Sequence, residues 1–342
     1  GRAMTAETLG SDLDAAAALI ADAIVCDHTL PYVGPSASEI AAHKQAGYGF
    51  VSITIAADFE PSNERMHARL AREQRFYASA DVFRLAGTVA DIEAANAEGK
   101  LAIGFHLQGT EPIQRNLDNV WLFKAAGLSF MLLAYNWQNN AAVGCLEAEE
   151  RDVGLSLFGR DLIDEMNAAG VIVDLSHTGK RCTLEAIDRS QKPPFFSHSN
   201  VRALHDHPRN IDTEQIRAVT ARGGIIGVTG VGEFTGPAYA AGAPVTAGAV
   251  FAHIDAIAQL AGPESVGLGL DYMSPLTCEK VLAVLGGDLS RVGMSKPPWP
   301  FLHPSALPEL VLCMQKAGYP RDAILGILGG NFLRFAKTWW DE

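Results

Sequence analysis

His177 and His198 each close a short apolar run, and Asp271 closes a third in the string Gly267-Leu268-Gly269-Leu270-Asp271. Imidazole is the commonest nitrogen ligand of zinc-like ions, so two rings on successive strand ends supply half of a tetrahedral site. The plain alternative is a hydrogen-bonded histidine pair with no ion. Asp271 could hold the ion or take a proton from its bound water; its structural alternative is the N-cap of the next helix. Arg209, in His207-Pro208-Arg209-Asn210, has the planar fork that grips a carboxylate bidentately, although a loop arginine faces solvent by default. Asp27-His28-Thr29, His106 with Gln108, and Tyr135-Asn136 occupy comparable positions after other apolar runs.

Those positions need a scaffold that brings strand ends to one face. Apolar runs recur at 23–26, 50–55, 101–107, 129–134, 171–175, 195–197, 224–228 and 266–270. Such runs suit strands buried on both faces of a parallel sheet. Between them lie segments with helical apolar spacing, such as 155–169 and 213–221, with Gly170 and Gly223 placed as C-caps. Strand–helix alternation over eight runs predicts a (β/α)8 barrel of the TIM type. A doubly wound open sheet would carry a G-x-G-x-x-G turn opening a helix, and none is present. In a barrel, functional residues gather at the C-terminal strand ends, which is where the polar residues above fall.

The 342 residues carry 27 Lys and Arg against 39 Asp and Glu, a net charge of −12. That balance argues against a nucleic-acid partner bound through a basic face. No run approaches the roughly 18–20 apolar residues that cross a bilayer, so no membrane span is expected. Five scattered cysteines with no C-x-x-C pair predict reduced thiols and a cytoplasmic protein. Gly1-Arg2-Ala3 ahead of Met4 read as a vector-derived leader, and residues 5–342 as one domain. The stretch after Met4 carries Glu7, Asp12 and Asp14, unlike a signal peptide. The proline-rich 296–304 stretch is expected to be a loop between late helices.

At these residues the sequence resembles the membrane (renal) dipeptidase family, a branch of the metal-dependent amidohydrolase barrels, over nearly its whole length. Asp174-Leu175-Ser176-His177 and Phe196-Ser197-His198-Ser199 resemble its two metal-histidine motifs. His207-Pro208-Arg209-Asn210 resembles its carboxylate-binding motif, Gly267–Asp271 its strand-eight aspartate, and Gly329-Gly330-Asn331-Phe332-Leu333-Arg334 its C-terminal signature. The resemblance implies hydrolysis of a dipeptide by a metal-activated water, with Arg209 on the terminal carboxylate. Dimers are common in the family, so a homodimer is the assembly to look for, although no interface stripe is legible.

The departures are as informative. The family's His-x-Asp pair on strand one, anchored on Leu30-Pro31, falls on Asp27 and Thr29. Its bridging glutamate falls on Gln108, and its histidine after strand four on Tyr135. A neutral amide is a poor bridge between two cations. His28 could substitute only through a one-residue slip that would turn it from the barrel axis. The expectation is one divalent ion, zinc first, on His177 and His198, with Asp27, Gln108 or Asp271 completing the shell. Tyr135 would then donate to the carbonyl oxygen, and Asn136 would contact substrate. The competing function is a catalytically silent barrel that binds a small carboxylate ligand through Arg209.

Overall fold

The computed structural model describes residues 6–31, 37–59 and 63–340. The leader reading at residues 1–4 lies outside them. Eight strands are formed: β1 (Val25–Pro31), β2 (Tyr48–Ala57), β3 (Phe83–Leu85), β4 (Leu101–Gln108), β5 (Leu128–Leu132), β6 (Ile172–Asp174), β7 (Ile226–Val228) and β8 (Val266–Leu268). Seven make a parallel sheet in the order β6-β5-β4-β2-β1-β8-β7, and short β3 pairs only with β4.

Sequence alternation underlies this order. Every residue of β4 is buried, as expected of a strand covered on both faces. The intervening helices begin where side chains can cap them. Ser156 accepts from Gly159 N–H at the start of Leu157–Ala169, and Asp212 with Gln215 forms a capping box before Thr213–Ala221. Gly170 ends the first of these at φ 77.

The run at 195–197 is not a regular strand. Phe195 makes an isolated parallel bridge to Asp174 of β6, and Phe196 makes one to Ile226 of β7. Its amides and carbonyls are nonetheless used, since Leu175 N–H donates to Phe195 O and Gly227 N–H to Phe196 O. Short β3 had no counterpart among the expected runs.

β1 runs longer than expected and carries an irregularity. Asp27 pairs with Val51 and Leu30 with Ile53, so β1 spends one residue more than β2 over this stretch. A bulge of this kind re-aims side chains. His28 Nδ1 lies 3.1 Å from Ser197 O, and its neighbour Thr29 places Oγ1 3.3 Å from His198 Nδ1. The register argument that would turn His28 away therefore fails, because consecutive residues of β1 both reach the 197–198 segment. Side chains at Gly227 or Gly267 would strike the His28 ring.

The C-terminal signature is a packing device. Asn331 Nδ2 donates to Pro263 O at 2.9 Å and to Val266 O at 2.8 Å, holding the start of β8. Arg334 Nη2 donates to Glu264 O at 2.8 Å. A Cβ at Gly329 would collide with the Ile24 carbonyl just ahead of β1. Gly329→Ala should therefore destabilise the protein by roughly 1–3 kcal/mol, the usual cost of overpacking, as measured by denaturant unfolding.

Candidate metal and substrate site

Gln108 ends β4, and Asp27 lies inside β1. Tyr135 and Asn136 follow β5, His177 follows β6, His198 follows the bridged 195–196 segment, and Asp271 follows β8. Asn136, His177 and Asp271 have φ of 62, 64 and 59, in the left-handed region. Each such non-glycine residue costs of order 1–3 kcal/mol and persists where function requires it. The N-cap alternative for Asp271 does not apply, because Ser274 caps the helix Pro275–Leu285.

His177 and His198 meet directly. Their Nε2 atoms are 3.0 Å apart, with ring centroids 4.9 Å apart. On its far side, His177 Nδ1 lies 2.7 Å from Asn136 Oδ1. Asn136 Nδ2 donates to Arg291 O at 2.9 Å, which fixes the amide with its oxygen toward the ring. His177 therefore carries its proton on Nδ1.

His198 is locked in a similar way. Its Nδ1 lies 2.7 Å from Ser197 Oγ, which donates its own proton to Asp174 Oδ2 at 2.5 Å. Ser197 can then only accept from the ring, so His198 is also protonated on Nδ1. Burial, reinforced by the Arg209 charge, holds both imidazoles well below their ordinary pKa, so neither readily takes a second proton. Two bare nitrogen lone pairs thus face each other. Two nitrogens each about 2.0 Å from one tetrahedral ion stand about 3.3 Å apart, so this pair fits a shared cation.

The remaining expected ligands are arranged less tightly. Asp27 is fully buried; its Oδ1 accepts from Thr29 N–H at 3.2 Å and Leu270 N–H at 2.9 Å, while Oδ2 has no partner. Burial pushes its pKa up to about 7 and that of Asp271 up to about 8. Among the described residues no group of three or more His, Cys, Asp or Glu side chains is clustered to hold an ion. The converging imidazoles are the tight element, and the carboxylates stand back from it.

Arg209 is 2% exposed, against the default for a loop arginine. Its Nη2 donates to His198 O at 2.9 Å, its guanidinium lies 4.9 Å from the Phe234 ring centre, and its Nε has no partner. No ion pair joins it to a carboxylate among the described residues. Its charge acts on Asp271 and Asp174 without a direct ion pair, and an incoming carboxylate would pair with the guanidinium directly.

A cleft opens beside these groups, lined by Gln108, Tyr135, His177, Phe234 and Asp271 together with an apolar wall. The Tyr135 ring stacks on His177 at 4.1 Å and packs edge-on against Phe59 at 5.2 Å. Gln108 Nε2 donates to Thr54 Oγ1 at 3.0 Å. Asn136, expected to contact substrate, is fully buried, with Oδ1 on His177 Nδ1 and Nδ2 donating to Arg291 O. Ser197, Asp174 and Asp58 escaped the sequence reading, although D-x-S-H places Asp174 three residues ahead of His177. Asp58 accepts from Tyr135 N–H and Asn139 Nδ2 and so fixes the loop after β5.

The profile of the membrane dipeptidase family (peptidase family M19) matches residues 41–339. The chain belongs to that family. Relatives of this membrane dipeptidase family chain include an uncharacterized dipeptidase of Schizosaccharomyces pombe, 31% identical over 68% of this chain and 52% of the relative. An uncharacterized protein of the pqqA 5' region of Klebsiella pneumoniae is 26% identical over 77% of this chain and 92% of the relative. The chain spans about half the length of the fission-yeast relatives it matches. Among solved structures, an amidohydrolase from Pseudomonas aeruginosa superposes with a TM-score of 0.85 at 25% identity, covering 96% of this chain and 99% of that one. A metallopeptidase from Rhodobacter sphaeroides, liganded with a phosphinate mimic of the dipeptide L-Ala-D-Ala, gives a TM-score of 0.75 at 19% identity, covering 93% and 100%. No described helix is long and apolar enough to cross a membrane.

The raised Asp271 pKa makes a signed prediction for metal-free protein. The folded state keeps this proton up to about pH 8, whereas the unfolded chain releases it near 3.8. Ionisation of Asp271 therefore costs stability progressively as pH rises through that window. Asp271→Asn stays neutral and tolerates the left-handed backbone. Its stability relative to wild type should rise from pH 4 to pH 8 in parallel thermal melts, and a flat difference would contradict the shift.

Proposed function

We propose that this chain is a metal-dependent hydrolase that cleaves a dipeptide or a related small amide. The reading is carried by the 3.0 Å approach of two imidazole nitrogens whose protons are held on their far sides. His177 and His198 would hold one divalent ion, zinc first, with Asp27, Gln108 and Asp271 as the oxygens around it. Such an ion, when bound, polarises an amide carbonyl and brings the pKa of a water from about 16 toward 7. The same positive charge would offset the burial cost of Asp27 and Asp271.

The chain's own groups divide the remaining work. Arg209 pairs with the substrate's terminal carboxylate and so positions the neighbouring amide. Asp271 takes a proton from the attacking water and returns it to the departing amine. The Tyr135 hydroxyl donates to the amide oxygen as negative charge builds there. Ser197, Asp174 and Asn136 keep both imidazoles in the tautomer that leaves Nε2 free.

The fold reading that accompanies this is a closed eight-staved barrel, with 195–197 as the stave between β6 and β7, in one domain from residue 5 onward. Five cysteines that form no disulfide suit a reducing compartment, and we place the protein in the cytoplasm.

Protein purified without added zinc should contain one divalent ion per chain by elemental analysis, and two would overturn the one-ion site. Chelator should abolish hydrolysis of a dipeptide panel and zinc should restore it. Ligand-induced stabilisation with no turnover under any metal would instead identify a carboxylate binder.

Arg209→Lys keeps the charge but loses the fork. It should lower kcat/KM about 10-fold or more, the worth of one hydrogen bond to a charged group. The loss should be much smaller on the same dipeptide with an amidated C-terminus. Equal losses on both would remove Arg209 from the carboxylate role.

A further inference from the structure

Beside the polar strand ends stands a hydrophobic cluster separate from the main core. Val281, Leu285, Val292 and Trp299 form its buried centre, with Phe59, Met273, Met294 and Phe301 packed against it. Most of it is built by the excursion from Met273 to Phe301, outside the sheet. Phe59, Met273, Val281, Met294, Trp299 and Phe301 of this cluster line the same cleft as His177 and Asp271, and Tyr135 belongs to both groups. The cleft therefore joins polar strand ends to an aromatic, thioether and aliphatic wall.

We propose that this wall is a side-chain subsite, and that the ligand is a dipeptide or dipeptide-like amide carrying at least one large apolar side chain, aromatic or branched aliphatic. The inference rests on the hydrolase reading above for the dipeptide skeleton. Three observations carry it further. The cleft is lined by Phe59, Val281, Val292, Trp299 and Phe301, and a Gly-Gly skeleton would leave most of this apolar wall against water. Met273 and Met294 line the cleft, and thioethers adapt to irregular apolar groups and to ring edges. The lining residues that carry formal charge are Asp271, at the strand ends, and Arg69. A substrate with a charged side chain would thus gain little from Phe59, Val281, Trp299 or Phe301 and would lose hydration against them.

Burying an apolar side chain of leucine or phenylalanine size is worth enough for a preference of at least about 10-fold over glycine. The test separates this preference from the chemistry. Binding of Gly-Gly, Ala-Ala, Leu-Leu, Phe-Phe and Asp-Asp to metal-free protein would be measured by calorimetry, and hydrolysis of the same set with zinc-loaded protein. Leu-Leu and Phe-Phe should bind at least 10-fold tighter than Gly-Gly, and kcat/KM should follow the same order. Met273→Ala with Met294→Ala should move the Phe-Phe to Gly-Gly ratio toward one. A uniform ratio in wild type, or a ratio unmoved by the double variant, would overturn the subsite. Selective apolar binding without hydrolysis by zinc-loaded protein would uphold the subsite and overturn the hydrolase reading.

Discussion

The site depends on one constraint: two imidazole rings are forced to aim unprotonated nitrogens at the same point. Left to themselves, two neutral histidines would share a hydrogen bond, one donating and one accepting. Here the donor arrangement is closed off twice, by Asn136 Oδ1 on one ring and by Ser197, itself committed to Asp174, on the other. Each lock depends on a further anchor. Asn136 is oriented by the Arg291 carbonyl, and Asp174 is held by N–H donors from Ser176 and Ser197. Burial and the nearby guanidinium then oppose relief by protonation. A cation shared between the two nitrogens would satisfy both, and the network holds them in the form that could bind one.

The same site accumulates unfavourable terms that a globular core would avoid. Among the described residues it buries Arg209 without a direct ion pair, leaves Asp27 Oδ2 unpartnered, and holds three side-chain-bearing residues at positive φ. Each costs free energy in the unliganded protein. Their coincidence on one face is better explained by ligands than by folding, because metal and substrate carry the charges that these groups lack. The surrounding sheet tolerates the cost because its strands are mostly apolar and buried.

Much of this was legible in the sequence, and the limits have physical causes. Parallel strands buried on both faces announce themselves as unbroken apolar runs, so seven of the eight expected runs coincide with strands of the main sheet. Strand ends follow from the runs, which is why His177, His198, Gln108 and Asp271 could be nominated before any fold was known. The bulge in β1 could not be read, because an extra residue leaves no mark on an apolar pattern. Nor could the duty of Asn136, since an asparagine after a strand suits a substrate contact as well as a support for histidine. The hydrophobic wall was equally hidden. It joins Phe59 to residues more than two hundred positions away, and no local periodicity reports such a meeting.

Gln108 shows how a departure from the family pattern is absorbed by its neighbours. Its Nε2 donates to Thr54 Oγ1, which lies 2.8 Å from His106 Nε2, while His106 Nδ1 lies 2.8 Å from Ser52 Oγ. With the amide donating, Thr54 is free to give its own proton to His106 Nε2, and His106 then donates from Nδ1 to Ser52. Thr54 and both ring nitrogens of His106 are then satisfied. A glutamate at this position would accept instead, would compete for the Thr54 proton, and would push His106 toward the other tautomer. Burial also holds His106 well below its ordinary pKa, to about 3, so protonating it is no easy remedy. The amide is therefore integrated into the interior network and not simply a carboxylate lost.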